Sequence, residues 1–146
     1  MRLDDIHREW AADSALAVSE ELDREASRTP QLHAKYSRYL SDERMALVNL
    51  EIESEKLTQD KTDWLTGVMP EEDMRARGWE PELRRVLTKD VDKRLQVDDD
   101  VVNMRKRMAV QREKVDALVS IVKMIMNRNF VVKNMIDWVK FKSGVN

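Results

Sequence analysis

Hydrophobic positions recur along this chain at helical spacing. Leu3, Ile6, Trp10 and Ala11 share one face, which predicts a short helix near 3–13. The following stretch, ADSALAVSEELDREAS, is less regular and ends in a turn. RTPQLHAKY then carries a helix-start signal: Thr29 suits an N-cap, and Pro30 suits the first helical position, where its missing N–H costs nothing. From Tyr36, positions 36, 40, 43, 47, 50, 54, 57, 61 and 64 step by four and three and hold Tyr, Leu, Glu, Leu, Leu, Ser, Leu, Lys and Trp. Six of these nine are apolar, so they form a seam along a helix that stops at Gly67, roughly 55 Å long at 1.5 Å per residue. Such a helix must lie against other long helices to bury its stripe.

Residues 68–81, VMPEEDMRARGWEP, carry two prolines and a glycine and predict a connector. ELRRVLTKDVDKRLQV suggests one or two short helices with Thr88 as a cap. Asp98 to Asp100 place negative charge where a helix N-terminus favours it, and open a second long helix to about Asn127. Its seam is Val101, Met104, Met108, Gln111, Val115, Leu118, Val122 and Ile125. Val119, Ile121 and Met126 widen that stripe, so a broad surface must cover it. NRNF predicts a break, Asn129 tolerating a left-handed turn, before a final helix with Val131, Met135 and Trp138 beside Val132, Ile136 and Val139. The resulting architecture is all-α: an elongated long-helix hairpin or bundle forming one structural domain. Its parts are an N-terminal helical region (1–67), a connector with short helices (68–98) and a C-terminal helical region (99–146).

Composition sharpens this. Of 146 residues, 37% are charged and 42% apolar, with three glycines, three prolines and no cysteine, the profile of a soluble helical protein. No apolar run reaches the ~18 residues of a membrane span, and the polar, acidic N-terminus does not resemble a secretory signal. Without cysteine there are no disulfides, thiolate metal sites or cysteine nucleophiles. The net charge of −2 hides a division: residues 1–80 hold 11 Lys/Arg and 19 Asp/Glu, a net of −8, whereas residues 81–146 hold 15 and 9, a net of +6. That dipole suits pairing of the halves, head-to-tail association of copies, or a basic end that meets an anion.

The run NMRKRMAVQREK, residues 103–114, holds five basic residues. With Met104 and Met108 facing inward, Arg105 and Arg112 fall on one flank of the seam, and Arg107 and Lys114 on the other. Two explanations stand side by side. These cations can pair with the acidic flanks of the first long helix, Glu51, Glu53 and Asp60. Alternatively, they track a phosphate backbone, where each neutralised phosphate releases counterions. Lys106 lies away from the seam and pairs with neither flank. Tyr36, Tyr39 and Trp64 could stack on bases, although aromatics at seam positions more often belong to a core. His7 and His33 have no ligand spacing, and no phosphate-cradling loop or nucleophile elbow occurs. Helix-start electrostatics account for the DDD triplet, and imperfect helix interfaces for the nine methionines. The pattern therefore predicts a protein that is no enzyme and has neither metal nor cofactor.

MRLDDI at the start, a long charged helix ending in KTDWLTG, the VLTKD and VDDD stretch, and the closing NRNFVVKNMIDW occur in an order, spacing and total length that resemble the UvsY family of phage recombination mediator proteins. The resemblance implies a non-enzymatic accessory of homologous recombination. Such a protein binds single-stranded DNA, forms a ring-like homo-oligomer, a hexamer or heptamer, and helps load the phage's RecA-like recombinase onto strands covered by single-strand-binding protein. It works in the cytoplasm of the infected bacterial host, away from membranes. The family's DNA-contact run, Leu-Lys-Ala-Arg-Leu, precedes an Asp-aromatic-aromatic-Ser-Gly segment with which Asp63 to Gly67 align. Here the run is TQDKT: Lys61 matches the arginine, Gln59 stands at the lysine, and Asp60 adds an acid.

The expected DNA contacts are accordingly Lys56, Lys61, Arg105, Lys106, Arg107 and Arg112. In the family the C-terminal helices carry oligomerisation, and here Val115 to Met126 and Phe130 to Phe141 hold more apolar surface than one such chain should cover. Val115, Leu118, Val122, Ile125, Phe130, Met135 and Trp138 are the expected oligomerisation residues. The rival from another class is a coiled-coil scaffold or adaptor whose acidic and basic flanks satisfy each other and leave no DNA affinity.

Overall fold

The computed structural model describes residues 1–16 and 21–144, and those residues are all-helical: α1 (Leu3–Ser14), α2 (Leu22–Ser27), α3 (Thr29–Thr66), α4 (Glu71–Arg77), a 3-10 turn (Thr88–Asp90), α5 (Val91–Val97) and α6 (Asp99–Lys142). Part of the irregular stretch after α1 lies outside the described residues. All nine predicted seam positions of α3, and all eight of α6, are buried or half-buried. Periodicity thus selects which side of each long helix leaves water.

Local signals set the stop of α3 and the start of α6. Gly67, with φ of +79°, stops α3 in a Schellman turn: Val68 N–H donates to Asp63 C=O at 2.9 Å and Gly67 N–H to Trp64 C=O at 3.3 Å. Asp98 caps α6, its Oδ1 accepting from Asp100 N–H at 3.0 Å and Val101 N–H at 3.2 Å. Thr29 behaves differently from the expectation. It is the first residue of α3, and its buried hydroxyl makes no hydrogen bond. Arg28, already helical, carries the carbonyl that accepts Leu32 N–H at 3.0 Å. Residues 68–81 are more than a connector, because Glu71–Arg77 form α4, with three acids in its first turn and two arginines in its last, matching the helix dipole.

The expected break at NRNF does not occur. α6 runs unbroken to Lys142, and among the described residues no non-glycine has positive φ. Left-handed geometry is only tolerated by asparagine, while the inward stripe Leu118, Ile121, Ile125, Arg128 and Val132 continues at helical steps through the segment, all five buried. Arg128 belongs to that stripe because its Nη2 donates to Glu25 at 2.7 Å.

The chain divides into two compact units, residues 1–45 with 110–146, and residues 46–109. This division cuts across the three sequence regions because both long helices contribute to each unit. In the first unit Ile6, Leu32, Tyr36, Leu40, Leu118, Ile121 and Ile125 form the core, with Trp10, Tyr39, Val115, Val119 and Val122 packed on it. A network of ion pairs ties its helices. Lys35 bonds Asp13 at 2.6 Å and Glu9 at 3.2 Å, Arg28 bonds Glu25 at 2.9 Å, and Glu25 meets Arg128. Burial alone would raise the Asp13 carboxyl, but hydrogen bonds from Lys35 and the Tyr36 hydroxyl, helped by the Lys35 and Arg28 charges, hold it below its ordinary value. Burial would likewise lower Lys35; its bonds to Asp13 and Glu9 outweigh this and raise it. The two polar seam residues of this unit, Glu43 and Gln111, find each other: the amide donates to the Glu43 carboxylate and to its C=O at 2.9 Å.

In the second unit Leu65, Val91 and Leu95 form a smaller core, with Trp64, Val86 and Val101 against it. The segment after α4 is pinned by Trp64 Nε1 donating to Glu80 C=O at 2.8 Å and by Val86 N–H donating to Leu65 C=O at 2.9 Å.

One correction concerns the apolar C-terminal half. Leu118 and Ile125 are 0% exposed, and Val115 and Val122 pack on the same core, so these four expected oligomerisation residues are covered by α1 and α3 of their own chain. The rest of the set differs: Phe130 is 69% and Trp138 52% exposed, with Met135 half-buried. Met126 and Phe141 are exposed beside them.

Candidate nucleic-acid interface

Met104 is buried and Met108 half-buried, so the start of α6 turns its intervening cations outward. Arg105, Lys106 and Arg107 are all exposed, as is Lys56 on α3. Among the described residues, the side chains of Lys56, Arg105 and Lys106 have no hydrogen-bonding or ion-pair partner. Arg107 meets Glu53 at 3.6 Å, with both side chains more than half exposed, a pair worth about 0–1 kcal/mol. It can leave that partner for a phosphate at little cost. Arg112, in the first unit, is exposed as well.

Pairing of acidic and basic flanks is therefore partial. Arg107 takes Glu53 and Lys114 takes Glu43 at 3.6 Å. Asp60, by contrast, is held by Arg77 through Nε at 2.9 Å and Nη2 at 2.8 Å. The net result is an outward cluster of Arg105 and Lys106 whose charge nothing in the described chain neutralises.

Lys61 requires a correction, because its placement differs from the expected phosphate contact. It is 5% exposed, and its ammonium lies 3.1 Å from Asp98 and 2.9 Å from Asp100. Trp64 and Trp79 flank it, ring centres 4.9 and 4.2 Å from Nζ. The physical reason is its position: residue 61 falls on the inward seam of α3, opposite the acids that begin α6. A lysine there is tolerated only when carboxylates and aromatic faces replace its hydration. Its charge is spent inside the second unit. Trp64 is likewise a packing residue, and Tyr36 is fully buried. Tyr39 is half-buried, its ring centre 5.7 Å from that of Tyr36.

What sequence reasoning missed is Trp79 and the role of the acidic triplet. Asp98 and Asp100 serve Lys61 as well as the helix start. The seam position of Lys61 was the available signal, since a lysine inside an apolar stripe demands a buried counter-charge. No group of His, Cys, Asp or Glu among the described residues could hold a metal ion, and no described helix is long and apolar enough to cross a membrane.

The family model described as "Recombination, repair and ssDNA binding protein UvsY" matches residues 9–145. Two crystal structures of the bacteriophage T4 recombination mediator protein UvsY share the fold. The lattice type II form has a TM-score of 0.80 at 21% identity, covering 98% of each chain. The lattice type IV form has a TM-score of 0.78 at 20% identity, covering 97% of this chain and 99% of that one. No curated protein matches the chain.

Proposed function

Because the chain belongs to the UvsY family of recombination, repair and single-stranded-DNA-binding proteins, we propose that it is a recombination mediator that grips single-stranded DNA through phosphates. It then promotes loading of a RecA-like recombinase onto strands covered by single-strand-binding protein. The observation that carries this is the outward, unneutralised pair Arg105 and Lys106, with Lys56 exposed and Arg107 only loosely held. Lys61 supports it indirectly by fixing the start of the helix that displays these cations.

Copies assemble into a ring-like homo-oligomer, a hexamer or heptamer, through the exposed end of α6, where Phe130, Met135 and Trp138 replace the wider set expected. Assembly multiplies weak contacts, since each further subunit on one strand binds at high effective concentration. The mechanism is physical: the oligomer holds the strand, loosens the resident binding protein and presents bare DNA to the recombinase, in the cytoplasm of an infected host. No bond is made or broken, and no cofactor takes part.

A titration with oligo-dT at rising salt tests this. Each phosphate contact on a single strand should contribute about −0.7 to the slope of log K against log[salt], so Lys56, Arg105, Lys106 and Arg107 should together give about −3 per subunit. A flat response removes the proposal. The pairs Arg107–Glu53 and Lys114–Glu43 favour a second reading, an adaptor without DNA affinity. Replacing Arg105, Arg107 and Arg112 by Ala separates the two: the adaptor loses helical stability, whereas the mediator loses DNA affinity and keeps its melting temperature.

A further inference from the structure

We propose that the cleft in the second unit between Trp79 and the first turns of α6 receives one unstacked nucleobase of the bound strand. This rests on the DNA-binding reading above and assigns a place to the base, where that reading concerns only phosphates. The cleft encloses about 290 Å³, near the lower bound of about 300 Å³ for small-molecule pockets, which suits one planar ring rather than a stacked run. Its apolar lining is Leu57 and Met104, both buried, together with the indole of Trp79.

That indole is set in place before any ligand arrives. Gly78, with φ of +71°, turns the chain at the end of α4, and Trp79 N–H donates to Met74 C=O at 2.9 Å. Lys61 Nζ lies 4.2 Å from its ring centre, Trp64 packs at 5.6 Å, and the Arg77 guanidinium lies at 5.5 Å. Asp60 in turn holds Arg77. A wall ordered in advance spares the ligand the entropy of ordering it.

The polar groups of the cleft select a neutral ring over an anion. Asn103 offers an amide with both donors and acceptors, able to meet the edge of any base. Asp100 lines the cleft, is half exposed and accepts from base N–H groups. With Asp100 paired to Lys61 and Arg77 paired to Asp60, the interior of the cleft offers a phosphate no free cation, so the backbone belongs outside. There Arg107, on the cleft's rim and loosely held by Glu53, continues into Arg105 and Lys106. The division is the one expected of a single-strand binder: aromatic and apolar walls for the base, cations along the phosphates.

The test compares oligo-dT with an equally long strand of abasic tetrahydrofuran sites, binding to the full-length protein being followed by anisotropy. Wild type should bind the abasic strand about tenfold more weakly, within the range of base–aromatic stacking. Trp79→Leu should lose about tenfold on oligo-dT and nothing on the abasic strand. Asn103→Leu, at an exposed helix position whose change leaves the fold intact, should show the same strand-dependent pattern at about fivefold, and it decides the matter if Trp79→Leu fails to fold by circular dichroism. Equal binding of both strands by wild type overturns the base receptor while leaving phosphate binding standing. Variants that weaken both strands alike, or neither, overturn it too. If wild type binds neither strand, the DNA-binding reading falls and takes this inference with it.

Discussion

Replacing Lys61 by methionine separates a structural cation from a DNA contact. The change keeps the apolar stem and deletes an ammonium that is 5% exposed and within 3.1 Å of two carboxylates. Breaking a buried pair by removing one partner costs about 3–5 kcal/mol, because the remaining charge loses its compensation. Two features soften that here. Asp98 keeps two backbone N–H donors at the start of α6, and Asp100 is half exposed to water. The expected loss is therefore about 3 kcal/mol, equivalent to a fall in Tm of about 6–12 °C for a protein of this size. Urea unfolding followed by circular dichroism, at one fixed protein concentration because assembly adds stability by mass action, measures it. Adding Asp98→Asn and Asp100→Asn should restore more than half of the loss, since neutral amides remove the carboxylate charge that Lys61→Met leaves uncompensated. Below the unfolding transition, folded Lys61→Met should keep the wild-type salt slope for oligo-dT, because no phosphate contact has been removed. A variant as stable as wild type but deficient in DNA binding would refute the buried-cation account.

Arg105→Ala combined with Lys106→Ala should change stability by no more than about 0.5 kcal/mol while making the salt slope shallower by about 1.4 per subunit, as read from titrations at several salt concentrations. Leu118→Ala, at a site with 0% exposure, should cost about 2–5 kcal/mol in denaturant unfolding. Phe130→Ala with Trp138→Ala should instead lower the sedimenting mass and spare the chain's own core, so an unchanged mass argues against assembly through the end of α6. In acid, Asp13 is the group to follow. Its folded value lies below the ordinary 3.8, so its contribution is complete above about pH 4 and fades as pH falls through the lowered folded value; Asp13→Asn should flatten that limb of a stability–pH profile. The raised Lys35 works in the opposite direction, its contribution fading only above its ordinary 10.5.

The amino-acid sequence alone determined where α3 ends, where α6 begins and which side of each long helix faces inward, because a step of three or four residues carries that information locally. Every seam position from Tyr36 to Trp64 and from Val101 to Ile125 is withdrawn from water. The stop at Gly67 and the start at Asp98 were legible for the same reason: each depends on hydrogen bonds spanning at most five residues. Tertiary structure decided the rest. Glu43 and Gln111 satisfy each other across 68 residues of chain. Lys61 is a buried cation because α3 brings it to Asp98 and Asp100, and Leu118 and Ile125 are interior because α1 and α3 cover them. NRNF stays helical because the stripe on which Arg128 meets Glu25 runs through it. A seam tells a side chain to leave the solvent; only the register of the helix packed against it says whether a charge there finds an opposite charge, and therefore which cations remain for a partner.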